Sequence, residues 1–325
     1  MKRIIVGTIA LLIVAVASFA LVERKFPAGP TPSVVIDIDR HSSWEHVFEQ
    51  AEGYVAQWVI ATWKWHAGEE QPHPGRYVLR SQEPALGMYR RMALGYEDPL
   101  RVTIRGYQSR QQAINQIASY FPIDSIELKN AFDAHPEVWI LPNTYHMYQS
   151  ATARDIVERM QYEWEAFWSD QRLVQASRLG LTPQEVVVLS SIVQAESKMS
   201  DEQGRVAAVY LARLRDDWPL DADPTLVYAV LDLGLEEQPI RRVYNWMKRV
   251  DHPFNTYKYK GLPPSPLATV DAPVIDRVLG ASAGEEMFFC ADPQRPGYHL
   301  FATNYVQHRI NSARYHRWLN RRGVR

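Results

Sequence analysis

Cysteine is almost absent from this chain of 325 residues, and its scarcity excludes two classes of protein. The single cysteine, Cys290, cannot form an intramolecular disulfide, so the fold is not a disulfide-stabilised scaffold. It also cannot supply the several thiolates of a multi-cysteine metal site. Because Cys290 lies in the apolar run 286–291, we predict a buried strand there and a packing role for its side chain.

The chain also lacks a surplus of charge and the common cofactor motifs. Lys and Arg number 36, Asp and Glu number 37, and the net charge is −1, which gives no reason to expect nucleic acid as a partner. No H-E-x-x-H, Walker A or G-x-G-x-x-G motif is present, so we predict neither a metal nor a cofactor. Residues 280–284 match G-x-S-x-G, but a helical pattern precedes them and a strand-like run follows, the reverse of a nucleophile elbow. We predict a turn there.

Long uncharged runs are scarce as well, with one exception at the N-terminus. Residues 4–22 carry no charge, and nineteen residues of helix span roughly 28 Å, close to the hydrocarbon thickness of a bilayer. We predict a cytoplasmic tip and a transmembrane anchor within residues 1–25; a signal peptide cleaved near Ala20 is the alternative. Lys2 and Arg3 favour a cytoplasmic N-terminus. The rest of the chain is then predicted to lie outside the cytoplasm.

The periodicity of apolar residues predicts an α+β fold with two folded parts after the anchor. Residues 26–135 are expected to form a small α+β module, and residues 136–325 a mainly helical domain with some strand. Strands are predicted at 34–39, 75–80, 100–104, 138–145, 287–291 and 298–302. Helices are predicted at 42–61, 84–93, 108–120, 123–134, 152–167, 183–196, 201–214, 224–232, 240–247, 270–279 and 304–321.

One helix in the second part ends on a single glutamate. Thr182 and Glu185 form a capping box, and Pro183 occupies the first helical position. The turns that follow are almost wholly apolar, so the helix is expected to be buried on most sides. Burial and the negative end of the helix dipole both disfavour an anion, so the pKa of Glu196 is predicted to be raised, as suits a general acid. A helix-end glutamate paired with Lys or Arg is the alternative.

Three later segments are rich in groups that could contact a sugar: 220–225, 255–264 and 298–304. Each has a structural alternative. Asp223 followed by Pro224 is also a good helix start, with Asp223 as the cap, and the Tyr- and Pro-rich segment is also typical of a surface turn.

Taken in order, five segments of this sequence resemble the YceG-like family of endolytic murein transglycosylases, usually called MltG. The segments are Leu141–Tyr145, Ser191–Glu196, Ala222–Thr225, Asn255–Tyr257 and Gly261–Pro264. The resemblance covers roughly residues 70–320 and is strongest from residue 138 onward. Their common order and comparable spacing make the combination specific.

The resemblance implies a single anchor, a LysM-like module at 26–135 and a transglycosylase domain at 136–325. It implies an inner-membrane enzyme with its catalytic domain on the periplasmic side, which cleaves the MurNAc–GlcNAc bond of peptidoglycan strands and leaves 1,6-anhydro-MurNAc ends. Glu196 matches the family's catalytic glutamate, and cell-wall synthases are candidate partners. The residues predicted to bind the glycan are Asp223, Thr225, Asn255, Tyr257, Gly261, Leu262, Pro263 and Asn304.

The chain departs from the family pattern at four positions: Asn143, Gln194, Ser197 and Asp221. Because Gln194 replaces a frequent glutamate, Glu196 is the one carboxylate of its motif. Three alternative functions stay open: a catalytically weak glycan-binding scaffold of the cell-wall synthesis machinery, a hydrolase that uses Asp221 or Asp223 as its second carboxylate, and an interaction protein of the division machinery.

Overall fold

The computed structural model describes residues 32–107, 109–237, 239–240 and 243–321. The predicted anchor at residues 4–22 lies outside the described residues. None of the helices in the described part of the chain combines the length and the apolar content that crossing a membrane requires.

The chain forms two compact units, and the first contains most residues before Thr103 together with 116–131 and 144–156. It opens with a strand–helix–helix–strand–helix series: β1 (Val34–Ile38), α1 (Trp44–Ala51), α2 (Gln57–His66), β2 (Gly75–Leu79) and α3 (Ala85–Leu94). β1 and β2 are antiparallel, with Ile36 opposite Tyr77. Alternate strand residues point into a core that the three helices cover, and Trp63 is fully buried in it.

The single helix predicted at 42–61 is wrong, because the structure has two helices there. α1 ends at Ala51, and Gly53 follows with a φ of +84°, in the left-handed region that favours glycine. α2 begins at Gln57. Both helices carry apolar residues at helical spacing. The apolar pattern therefore continues across the break, although the helical conformation of the backbone is interrupted there.

Four elements follow: β3 (Leu100–Ile104), α4 (Arg110–Ala118), α5 (Ser125–Asp133) and β4 (Asn143–Met147), with β3 paired to β4. The strand predicted at 138–145 begins five residues too early. Val138 and Ile140 are buried and alternate with less buried neighbours, as in a strand, but residues 138–142 belong to no strand of the described chain. Burial of alternate side chains therefore occurs here without a β-ladder.

The second unit contains 104–115, 132–143 and the residues from Val157 onward. Its elements are α6 (Ala153–Phe167), α7 (Asp170–Leu179), α8 (Pro183–Glu196), α9 (Gln203–Arg215), α10 (Asp223–Asp232), α11 (Ala272–Leu279), β5 (Phe288–Ala291), β6 (His299–Ala302) and α12 (Tyr305–Arg321). β5 and β6 form an antiparallel pair. The core of the unit is centred on α8, against which α9, α10 and α11 pack.

The helix predicted at 240–247 is wrong for the described residues of that segment. They contain turn and irregular backbone, followed by one 3₁₀ turn at Met247–Arg249. Met247 is buried against Leu226 and Val230 of α10, so its apolar character serves a satellite cluster and not a helix face. The mixed helical fold with some strands agrees with the predicted class. The domain limits 26–135 and 136–325 stay a prediction.

Candidate active site

The helix that carries Glu196 begins as the sequence predicts. Thr182 N donates to Glu185 Oε2 at 2.8 Å, and Glu185 N donates to Thr182 Oγ1 at 3.2 Å, which completes the capping box. Pro183 occupies the first turn. Two of the unpaired N-terminal amide groups are thereby satisfied, and the start of α8 is fixed.

The middle of α8 is buried on all sides from Val186 to Val193. Its two serines are accommodated by hydrogen bonds: Ser190 Oγ donates to Val186 O at 2.7 Å, and Ser191 Oγ donates to Val188 O at 2.7 Å while accepting from Leu267 N at 3.0 Å. Both serine hydroxyls of this buried stretch are therefore hydrogen-bonded, as buried polar groups usually are.

Ser197, the residue after Glu196, is linked to strand β6 through the buried carboxylate of Glu202. Ser197 Oγ donates to Glu202 Oε2 at 3.2 Å. The same carboxylate contacts His299 Nδ1 at 2.8 Å and accepts from His299 N at 2.8 Å. Gln203 Nε2 adds a bond to Ser197 O at 2.8 Å. We call Ser197, Glu202 and His299 the Glu202 cluster; it joins the end of α8 to β6.

Glu196 is the last residue of α8, and its carboxyl group has one direct polar partner among the described residues. Tyr210 of α9 donates its hydroxyl to Glu196 Oε1 at 2.6 Å. No ion pair joins Glu196 to a Lys or Arg within the described ranges, so the alternative of a surface salt bridge is not supported. Taken as a whole, the residue is partly buried.

Burial of the carboxyl group raises the pKa of Glu196 to about 7. The hydrogen bond from Tyr210 opposes this rise because it stabilises the anion, and the positive charge of Arg213 acts in the same direction. The negative charge of Asp223 raises the pKa further. The predicted direction is confirmed, and the group is half-protonated near neutral pH.

A second tyrosine–carboxylate pair lies close to the first. Tyr257 donates its hydroxyl to Asp223 Oδ1 at 2.6 Å, and burial raises the pKa of Tyr257 above its ordinary value. Lys248 Nζ lies 4.4 Å from the centre of the Tyr257 ring. The alternative role of Asp223 as a helix cap is wrong: Ala222 is the cap residue, and Asp223 lies within the first turn of α10.

Thr225 and Asn255, both predicted to contact glycan, are fully buried. Thr225 Oγ1 donates to Ala222 O at 2.8 Å and lies 2.7 Å from Thr256 Oγ1. Asn255 Nδ2 donates to Val250 O at 2.7 Å, and its Oδ1 accepts from Tyr257 N at 3.1 Å. Through these contacts, Thr225 and Asn255 hold the backbone next to Asp223 and Tyr257 in place.

The remaining predicted glycan contacts lie in two other places. Gly261, Leu262 and Pro263 follow Tyr257 in an irregular loop, where Gly261 has a φ of +85° and Leu262 packs against the core. Asn304 starts α12, with its Oδ1 accepting from Gln307 N at 2.9 Å. No contact recorded within the described ranges joins Asn304 to Glu196.

Sequence reasoning missed Arg213, which the structure places beside the carboxyl groups. Its Nη1 donates to Leu220 O at 2.6 Å and lies 3.9 Å from Asp221 Oδ2, while its Nε donates to Met287 O at 2.8 Å. Burial raises the pKa of Asp221. The sequence feature that could have indicated Arg213 is its spacing from Tyr210. The two are polar side chains three residues apart on an otherwise apolar helix face.

Three other candidate centres are a metal site, Cys290 and the G-x-S-x-G segment at 280–284. No group of three or more His, Cys, Asp or Glu side chains is arranged to hold a metal in the part of the chain that the structure describes. Cys290 lies in β5, where burial raises the pKa of its thiol and disfavours the thiolate. Gly280 ends α11 and Gly284 precedes β5, which confirms a turn in place of a nucleophile elbow.

The protein has a mixed helical domain. Its candidate site depends on one carboxyl group of raised pKa, that of Glu196, at the end of a buried helix. The profile of the YceG-like family matches residues 36–314, and the chain therefore belongs to the YceG-like family.

Relatives within the curated proteins are similar over part of their length. The endolytic murein transglycosylase of Streptococcus pneumoniae serotype 2 is 25% identical over 203 residues, which is 62% of this chain and 36% of that protein. The endolytic murein transglycosylase of Bacillus subtilis is 26% identical over 182 residues, 55% of this chain and 48% of that protein. The alignments thus span between a third and a half of these relatives.

A solved structure supports the fold. The crystal structure of a YceG-like protein from Listeria monocytogenes matches with a TM-score of 0.51 at 20% identity, covering 86% of this chain and 98% of the other. At that identity the likeness concerns the fold alone.

Proposed function

We propose that this protein is an endolytic peptidoglycan lytic transglycosylase with Glu196 as its general acid and base. The proposal rests on the carboxyl of Glu196: it ends a buried helix, has a pKa raised to about 7 and forms no ion pair with a Lys or Arg within the described chain. A group half-protonated near neutral pH can both donate and accept a proton during one turnover. The names of the family's curated relatives support the same activity.

One carboxyl is sufficient for this reaction because the substrate supplies the nucleophile. Glycoside hydrolases generally need two carboxylates, an acid and either a base or a nucleophile. In the proposed reaction Glu196 protonates the oxygen between MurNAc and GlcNAc, and the bond to the anomeric carbon breaks. The 6-hydroxyl of the same MurNAc then bonds to that carbon and returns its proton to Glu196. The product is a 1,6-anhydro-MurNAc end, and no water is consumed.

The groups around Glu196 suit the charge that develops during such a step. Breaking the glycosidic bond creates an oxocarbenium-like cation, which the carboxylates of Asp221 and Asp223 would stabilise. Tyr257 holds Asp223 at one oxygen, so this carboxylate has a defined orientation. Binding the strand so that its 6-hydroxyl faces the anomeric carbon supplies the advantage of an intramolecular reaction.

The cellular setting is part of the proposal and rests on the sequence. The uncharged run at residues 4–22 supports an inner-membrane anchor, with the catalytic domain on the periplasmic side. The substrate would then be peptidoglycan close to the membrane, and cell-wall synthases are the proposed partners. The LysM-like assignment of residues 26–135 rests on the family resemblance.

The test compares the full chain in mild detergent with its Glu196→Gln variant on purified peptidoglycan, with products identified by mass spectrometry. Glu236→Gln, at a solvent-exposed glutamate, is the matched control. We expect anhydro-MurNAc ends from the unmodified chain and the control, and a loss of at least about 100-fold in Glu196→Gln because general acid catalysis contributes 10²–10⁴-fold.

Two other outcomes would point to different functions. Reducing ends in place of anhydro ends would indicate a hydrolase, for which Asp223 is the second carboxylate, since its charge acts on Glu196. Equal strand binding by both proteins without any product would indicate a glycan-binding scaffold.

A further inference from the structure

Tyr210 donates a hydrogen bond to Glu196 and is itself buried in the core. Its side chain is 1% exposed, and its ring meets Phe289 of β5 edge-on, with 5.7 Å between ring centres. Among the described residues its hydroxyl has no hydrogen-bond partner other than Glu196 Oε1, at 2.6 Å. Packing thus fixes the position of the phenol oxygen, and the hydrogen bond to Glu196 sets the direction of the O–H bond.

We propose that Tyr210 is a positioning residue that occupies Oε1 of Glu196 and so leaves Oε2 as the oxygen that releases and recovers the proton. The inference rests on the proposed function. Because Oε1 accepts from Tyr210, the proton of the neutral carboxyl resides on Oε2. Burial raises the pKa of Tyr210, so the phenol keeps its proton and acts as donor throughout the reaction.

The same hydrogen bond brings the protonated and the ionised forms of Glu196 closer in free energy. Desolvation and the charge of Asp223 favour the neutral acid, whereas Tyr210 and Arg213 favour the carboxylate. Tyr257, another titratable group near Glu196, donates to Asp223. Tyr210 is thus the direct hydrogen-bond donor to the anion that forms when Glu196 gives its proton to the glycosidic oxygen.

The decisive variant is Tyr210→Phe in the full chain, assayed on peptidoglycan for anhydro-end formation across pH. A hydrogen bond to a charged group contributes about 1.5–3 kcal/mol, which corresponds to a loss in kcat of ~10-fold or more. The basic limb of the pH profile, which reports loss of the proton from Glu196, is expected to move to higher pH by about one to two pH units. A merely structural role would lower the rate without moving this limb.

Tyr228→Phe is the matched control, because Tyr228 is a partly buried tyrosine of α10 whose ring stacks on Phe254 at 4.3 Å. It is expected to leave the rate and the basic limb unchanged. If Tyr210→Phe shows the limb of the unmodified protein, the inference on Tyr210 is overturned, while loss of activity in Glu196→Gln still supports the transglycosylase. Activity retained in Glu196→Gln would overturn the transglycosylase proposal itself.

A second measurement covers the case in which Tyr210→Phe does not fold. Difluorotyrosine at position 210 keeps the shape of the ring and makes the hydroxyl a stronger donor, so it stabilises the Glu196 carboxylate more. The basic limb is then expected to move to lower pH. An unmoved limb in the folded fluorinated protein would count against the positioning role.

Discussion

The raised pKa of Glu196 has a consequence for stability that can be measured without any substrate. The carboxyl has a pKa of about 7 in the folded protein against an ordinary value of 4.5. The folded state therefore holds a proton that the unfolded chain has already released, and stability falls as pH rises from about 4.5 to about 7. This difference corresponds to about 3 kcal/mol of unfolding free energy, lost in full above the folded pKa.

Replacing Glu196 with Gln removes the titration while keeping the size and shape of the side chain. Relative to the unmodified protein, Glu196→Gln is expected to gain up to about 3 kcal/mol of stability between pH 4.5 and pH 8. Urea denaturation of the full chain in mild detergent at pH 4.5, 6 and 8 measures this gain, with Glu236→Gln as the baseline. An offset between Glu196→Gln and the unmodified protein that is the same at all three pH values would refute the reasoning.

Three further predictions concern hydrogen bonds at the ends of helices. Glu202→Gln weakens the bonds from Ser197 and His299 to a buried carboxylate, and a loss of about 1–3 kcal/mol is expected in urea denaturation; an unchanged midpoint would show that the Glu202 cluster contributes nothing to stability. Thr182→Ala removes the cap of α8 and should cost about 1 kcal/mol, measured as a lower thermal midpoint. Ser43, which caps α1, provides a comparison in the first unit, where Ser43→Ala should produce a similar loss.

The local signals in the sequence were sufficient wherever a feature depends on neighbouring residues. The cap at Thr182 and the apolar turns of α8 were both predicted and both confirmed. These features are determined by contacts within four residues, which periodicity and capping rules describe. The position of Glu196 at the end of a buried helix was predicted in the same way.

The features that were missed depend on contacts between distant parts of the chain. Nothing near Val138 distinguishes alternate burial in an irregular segment from burial in a strand, because the difference lies in the ladder partner. The break at Gly53 was missed because apolar spacing continues across it. Tyr210 and Arg213 acquire their roles from groups on other elements, Glu196 on α8 and the carbonyl of Met287 before β5.

The Glu202 cluster also constrains when the site can form. Two contacts between Glu202 and His299 join residues 97 positions apart, so they cannot form until β6 has been synthesised. Long-range contacts of this kind close late in folding, because the chain must lose loop entropy before they contribute stability. During synthesis on the ribosome, the end of α8 would therefore exist for some time without its link to β6.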